Sequence, residues 1–325
     1  MIRGSPPSGG RRRTVLRAGL AAAALAGPLR AANALMAGLP PDSPQARIDP
    51  NRPGSPWAGV GAVVIGDGAF GGVPLTSRHV LTAAHVVAGQ APAAIAWRIN
   101  ATATPRWHAV AAVDAYPGAA YPYDDLAVLT LAEPMGALVP TYALAPSPPA
   151  IGSRIRLVGY GASGRGDAGP TVAGASDIKR VGDNVIDAMP ATLDTSGRTA
   201  PFFLYDFDGP GGAGPMGGRS LGNRIETCVA GGDSGSPAFV PSGDGQWLLA
   251  GINVLTAAGG PSTNGPLPPT ASTFGGLGGG LLLTVPRYLD WMRERTAGGL
   301  RIGRHLRRRR PAFLMIRRPP RSTPY

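Results

Sequence analysis

The apolar runs of this chain are short, and glycine or proline cuts nearly every one of them off before a long helix can form. Runs rich in Val, Ile and Leu occur at 60–65, 80–82, 95–99, 126–131, 155–158, 247–254 and 281–285. Each has the length of a strand, and turn residues separate them as they do in sandwiches and barrels. With 49 glycines and 35 prolines among 325 residues, continuous helix is excluded from most of the chain. One exception stands near the end. Val285, Tyr288, Leu289 and Met292 fall at helical spacing, with Pro286 at the start and Gly298-Gly299 beyond. The pattern predicts an all-β protein closed by a short helix.

The formal charge of +12 points at first to nucleic acid, but its distribution removes that class. Six of the 31 basic residues lie in 1–34 and nine in 301–325, and neither end has an acid. The body between them therefore holds 16 basic residues against all 19 acids, a net charge of −3. At about 260 residues it is long enough to bury a core without staples. Cys228 is the single cysteine, so no internal disulfide forms. It reads either as a small buried hydrophobe or as a reactive thiol.

Both ends are set apart from the fold. Residues 1–34 join an arginine-rich start to an apolar stretch at 18–27, too short to span a bilayer, and to the small residues Ala32-Asn33-Ala34. This is an expected export signal, with no stable membrane span after its removal. Arg12-Arg13 followed by Val15-Leu16 resembles a twin-arginine signal, against an ordinary secretory one with extra arginines. Export of an already folded chain would fit the lack of disulfides. Residues 297–325 form a basic tail; from about Ala312 it resembles translated sequencing-adapter read-through, the competing reading being a basic arm. The expected plan is an N-terminal or pro segment at 35–52, one β-unit at 53–150 and a second at 151–296.

Chemistry concentrates at Gly232-Asp233-Ser234-Gly235-Ser236-Pro237. A serine between glycines is built for exposure, and the N–H groups of Gly232 and Ser234 can face one oxyanion. The alternative is a tight polar turn. A nucleophilic serine needs a base, and the base needs a carboxylate. Of the four histidines, His85 ends the β-prone run 80–84, while His79, His108 and His305 read as structural or surface residues. Asp125, rather than the loop acid Asp124, stands directly before the apolar run 126–131.

These blocks, in the order His85, Asp125, Ser234, resemble the trypsin/chymotrypsin family of serine proteases. Pro53-Gly54-Ser55-Pro56-Trp57, Phe70-Gly71-Gly72, Val158-Gly159-Tyr160-Gly161 and the stretch 280–292 are similar to further blocks of that family. The resemblance implies two six-stranded antiparallel barrels with a short C-terminal helix and the triad in the cleft between them. It also implies a protein or peptide substrate and no cofactor. Val86 and Phe70 stand where the family often places a disulfide pair, and Ser236 replaces a glycine. Cys228 takes the base of the primary pocket and Gly280 its wall, so no carboxylate greets Lys or Arg. A small-to-medium apolar preference is expected. Asp233 matches the acid that pairs with a new N-terminus after zymogen cleavage, for which the Arg47-Ile48 junction is the available bond.

No metal site is expected. Asp206-Phe207-Asp208-Gly209 invites a calcium reading but lacks the other ligands of a loop site. The long Gly/Pro-rich loops 208–223 and 256–280 read as mobile or substrate-contacting. Two other functions compete with an exported endopeptidase. An esterase elbow is broken by Ser236 and needs a histidine after the serine, where only His305 follows. A protease-shaped binding module is the second. The oligomeric state is not legible.

Overall fold

The computed structural model describes residues 35–101, 104–212, 214–259 and 271–304. The expected export signal, His305 with the rest of the tail from 305, and residues 260–270 of the second glycine-rich loop lie outside the described residues.

The first unit contains β1 (Gly61–Ile65), β2 (Gly68–Pro74), β3 (His79–Thr82), α1 (Ala84–Val87), β4 (Ile95–Ile99), β5 (Arg106–Ala115) and β6 (Ala127–Leu131). The strands pair antiparallel in the order β1-β2-β3-β6-β5-β4, and β4 returns to β1 to close a barrel. Its interior is set by alternation: Ile95, Trp97 and Ile99 of β4 point inward while Ala96 and Arg98 do not. Trp97 is fully buried and fills the barrel because Gly72 opposite has no side chain. A Cβ on Gly72 would stand 2.6 Å from the indole.

The second unit contains β7 (Arg154–Gly159), β8 (Ser163–Arg165), β9 (Gly169–Val172), β10 (Arg180–Val185), β11 (Phe202–Asp206), β12 (Pro237–Pro241), β13 (Trp247–Ala257) and β14 (Leu277–Leu282). Six of these form one antiparallel sheet in the order β10-β7-β12-β13-β14-β11, and β8 and β9 make a separate hairpin. The sheet curls into a half-barrel. Its two edges meet just beyond β10, where Leu204 N–H donates to the Ala188 carbonyl at 2.8 Å. The molecule is thus mostly β, one closed six-stranded barrel beside a curled six-stranded sheet, as in the chymotrypsin-like fold.

The closing helix α2 (Pro286–Arg295) starts on proline, whose fixed φ suits the first helical turn. It buries Tyr288, Trp291 and Met292. Tyr116, just after β5, meets Tyr288 and Trp291 edge-on at 5.0 and 5.2 Å, so α2 reaches back across the molecule to the first barrel.

Residues 35–52, the expected N-terminal or pro segment, pack against the second unit. Leu35, Met36 and Ala37 have no exposed surface, and Leu35 and Met36 share a core with Phe203, Tyr205 and Cys228. Met36 N–H donates to the Cys228 carbonyl at 2.9 Å, and Ala37 N–H to that of Gly164 at 2.8 Å. Further along, buried Arg47 is ion-paired with Asp42 and donates to the Ile225 and Glu226 carbonyls at 2.7 and 2.9 Å. Asp49 faces Lys179 at 3.3 Å.

Candidate active site

His85 sits in the single turn α1, reached directly from β3 through Ala83. Asp125 stands two residues before β6, the strand that pairs with β3, so the register of one ladder brings the two residues together. The Asp125 carboxylate is buried and holds the histidine twice. Its Oδ1 accepts the His85 backbone N–H at 2.8 Å, and its Oδ2 lies 2.5 Å from Nδ1. On the other side of the ring, Nε2 lies 2.8 Å from Ser234 Oγ. The exposed ring of Tyr121 meets the imidazole edge-on at 5.1 Å.

Asp124 and Asp125 point in different directions. Asp124 takes a left-handed backbone at φ 51°, and this turn sends its neighbour inward. The expectation of a solvated loop acid needs correcting: Asp124 accepts from Arg287 at 2.7 Å and from the Tyr288 hydroxyl, fixing the loop to α2. Among the other histidines, His79 Nδ1 bonds Thr76 Oγ1 at 2.7 Å, and His108 lies in β5.

The serine turn reaches the first barrel because two glycines let it. Gly71 N–H of β2 donates to the Ser234 carbonyl at 2.9 Å, and a Cβ on Gly71 would fall 2.4 Å from Ser236 N. Gly235 has φ 78°, and a Cβ there would strike Thr82 Oγ1 at 2.2 Å. From the other side Asn253 of β13 braces the turn. Its carbonyl accepts Gly235 N–H at 2.8 Å, and its Nδ2 donates to the Ser236 carbonyl and Oγ at 3.0 and 3.1 Å. Tyr205 O–H in turn donates to Asn253 Oδ1 at 2.9 Å. The departure at Ser236 therefore gives its buried hydroxyl a partner. Nothing local in the sequence marks Asn253, which is 19 residues beyond the serine and meets it through strand pairing.

Within the turn the N–H groups of Asp233, Gly235 and Ser236 are bonded to the carbonyls of Ala230, Asn253 and Asp233. Those of Gly232 and Ser234 have no acceptor among the described residues, as donors kept for an external oxyanion would. Asp233 is fully buried beneath them. Its Oδ1 accepts Gly161 N–H at 2.8 Å, and its Oδ2 accepts from Leu35 and Ala230 at 3.1 and 3.0 Å. Burial pushes its carboxyl up to about 6, partly offset by those three donors and by the charge of Arg180.

The expected specificity pocket is not formed by the two residues proposed for it. Cys228 is fully buried among Leu35, Phe203 and Tyr205, and burial pushes its thiol pKa up. It is a core hydrophobe and not the floor of an open pocket. Gly280 faces its neighbouring strand: a Cβ there would lie 1.8 Å from the Ile252 carbonyl oxygen. The glycine permits close packing of β13 on β14, which a local reading of the sequence cannot separate from an open wall. Among the described residues no group of three or more His, Cys, Asp or Glu side chains is placed to hold a metal ion.

The trypsin-like peptidase domain matches this chain over residues 59–248. The chain belongs to that family. The match begins just before β1 and ends within β13, taking in all three residues of the hydrogen-bonded chain. A search of curated proteins finds no match. In this trypsin-like peptidase the two positions that often carry the family's disulfide, Phe70 and Val86, both pack on the first-barrel core.

Proposed function

We propose that this trypsin-like peptidase is an exported serine endopeptidase in which Ser234 is the nucleophile, His85 the general base and Asp125 the orienting carboxylate. Ser234 Oγ attacks the substrate carbonyl as its proton passes to His85 Nε2. The oxyanion that forms is met by the N–H groups of Gly232 and Ser234. His85 returns the proton to the departing amine, leaving an acyl-serine. Water then attacks that ester, giving its proton to the same nitrogen, which passes it to Ser234 Oγ as the acyl–oxygen bond breaks and the new carboxylic acid leaves. Asp125, bonded to both the backbone and the ring of His85, fixes the tautomer and stabilises the imidazolium.

The observation that carries this reading is the unbroken chain Ser234–His85–Asp125, at 2.8 and 2.5 Å, assembled from both β-units. The N–H groups of Gly232 and Ser234, which have no acceptor among the described residues, support it further. No side-chain preference is proposed, because Cys228 and Gly280, the two residues expected to shape the primary pocket, are taken up by core and strand packing. Incubation of the purified exported protein with a mixed peptide library, read by mass spectrometry, tests the assignment. Internal cleavages that fall about a thousand-fold or more in Ser234→Ala are expected. Cleavage unchanged in that variant, or none by the folded wild-type protein, contradicts it.

A further inference from the structure

Asn253 differs from the other buried polar residues in giving nearly all its bonding capacity to one turn. Its backbone N–H donates to the Ser236 carbonyl and its carbonyl accepts Gly235 N–H, both at 2.8 Å. Its Nδ2 reaches the same Ser236 carbonyl at 3.0 Å and Ser236 Oγ at 3.1 Å. Oδ1 points away, to the Tyr205 hydroxyl at 2.9 Å. The backbone would make the first two bonds whatever the side chain. The other three need the amide.

The direction of that amide is dictated by its partners. A main-chain carbonyl only accepts, so Nδ2 must face Ser236 and Oδ1 must face Tyr205. Burial drives the Tyr205 phenol pKa upward, which keeps in place the proton that Oδ1 accepts. Tyr205, Asn253 and Ser236 have almost no exposed surface, and Tyr205 is otherwise packed among Leu35, Met36, Phe203 and Cys228. Glycines of β14 make room for the pair. A Cβ on Gly278 would lie 2.6 Å from the Tyr205 hydroxyl, and one on Gly280 would lie 2.8 Å from Asn253 Cα. The pairing of β13 with β14 also shifts register between Asn253 and Leu255, an irregularity of the kind that re-aims a side chain beside an active site. Apolar residues would fill this space with no polar group to desolvate. A fully bonded polar chain instead specifies a single arrangement of the core.

We propose that Asn253 is a positioning residue for Ser234, acting through the Ser236 carbonyl, and that Tyr205 orients its amide. The inference rests on reading Ser234 as the nucleophile. The serine turn is suspended between the two units. Gly71 of the first barrel holds the Ser234 carbonyl, and Asn253 of the curled sheet holds Gly235 and Ser236. His85 belongs to the barrel side, so the 2.8 Å contact of its Nε2 with Ser234 Oγ depends on where the turn settles between the units. With the amide removed, the Ser236 carbonyl keeps only the backbone donor of residue 253. The turn can then tilt, and a misplacement of about 1 Å costs up to about 100-fold in rate.

Reading rate and extent apart separates positioning from support of the fold. Fluorophosphonate labelling of Ser234 is followed to completion by intact mass in the wild-type protein, Asn253→Ala, Tyr205→Phe and the double variant, each well below its melting temperature. A residue that only supports the fold lowers the fraction of molecules that label and leaves their rate unchanged. Loss of a positioning residue lets every folded molecule label, more slowly. Asn253→Ala is expected to reach full labelling at a rate about 10- to 100-fold lower. Tyr205→Phe, which keeps the ring, should slow it by about tenfold or less. It should add almost nothing in the Asn253→Ala background, because it acts through the amide. In peptide cleavage kcat should carry the loss, with KM little changed. A wild-type rate in either single variant, a reduced extent at wild-type rate, or losses that multiply in the double variant overturns the proposal. Where Asn253→Ala fails to fold, Tyr205→Phe decides alone by the same criterion. A folded wild-type protein that takes no label overturns the reading of Ser234 itself, and this role with it.

Discussion

The closed barrel and the curled sheet both contribute to the site, but they are built differently. The barrel is held by apolar volume: Trp97, Val63, Val80, Leu129 and their neighbours pack with almost no exposed surface. Its fully enclosed polar groups are few, Thr82, Asn100 and Asp125 among them. The curled sheet and the 35–52 segment laid against it enclose Asp42, Arg47, Asp49, Lys179, Arg180, Asp183, Asp206, Glu226 and Asp233. The difference teaches where control resides. A packed apolar barrel positions the base, whereas the half that presents the serine encloses most of the buried charged groups.

The largest expected effect lies in the barrel. Asp125→Asn should lower turnover by about a thousand-fold or more while leaving the fold intact, because the wrong imidazole tautomer is then held. Asp124→Asn should leave turnover within a few-fold, at the cost only of its contacts with Arg287 and Tyr288. Steady-state kinetics of the two variants side by side decide the matter; equal losses would contradict the assignment.

Stability separates the halves next. Trp97→Ala should cost about 3–5 kcal/mol, as large cavities in packed cores do. Since no titrating group is involved, denaturant unfolding should return the same loss at pH 5 and pH 8. A loss that varies strongly between them would break the comparison.

The curled sheet should show the smaller but pH-dependent effect. Burial pushes Asp187 and Glu226 up to about 7 and Asp208 up to about 6. The folded state keeps protons that the unfolded chain releases near 4, so stability should fall as pH rises from about 4 to about 7. Burial lowers Lys179 to about 8 from 10.5, so the folded state sheds that proton first and stability should rise again above pH 8. In the barrel, His79 of β3 and His108 of β5, lowered mainly by burial, oppose the acid-side trend over a narrower range. Urea midpoints across pH should therefore be lowest between about pH 7 and 8, and Asp187→Asn should flatten the acid side. A midpoint that climbs steadily from pH 4 to 7 would count against this balance.

What could be read in the sequence was local. Four strands of the barrel, β1, β3, β4 and β6, and the glycine-flanked serine announce themselves within a few residues, whereas β2 and β5, with mixed burial along their length, do not. The curled sheet hid its edges. In β10 the run Arg180-Val181-Gly182-Asp183-Asn184-Val185 looks polar, and it is a strand because Arg154 and Arg156 of β7 meet Asp183 at 2.6 Å. Asn253 and the Leu35 amide reach the serine turn through pairing and burial of residues distant in sequence. Cys228 and Gly280 misled for the same reason. Their small size fits an open pocket and a tight core equally, and only the strands around them distinguish the two.

The central claim is that Ser234 is an activated nucleophile. Its most direct test is intact mass after fluorophosphonate treatment of the exported protein, with Ser234→Ala and His85→Ala beside it. A single adduct mapped to Ser234, absent from Ser234→Ala and strongly slowed in His85→Ala, is the predicted result. Labelling elsewhere, or at the same rate without His85, would contradict it.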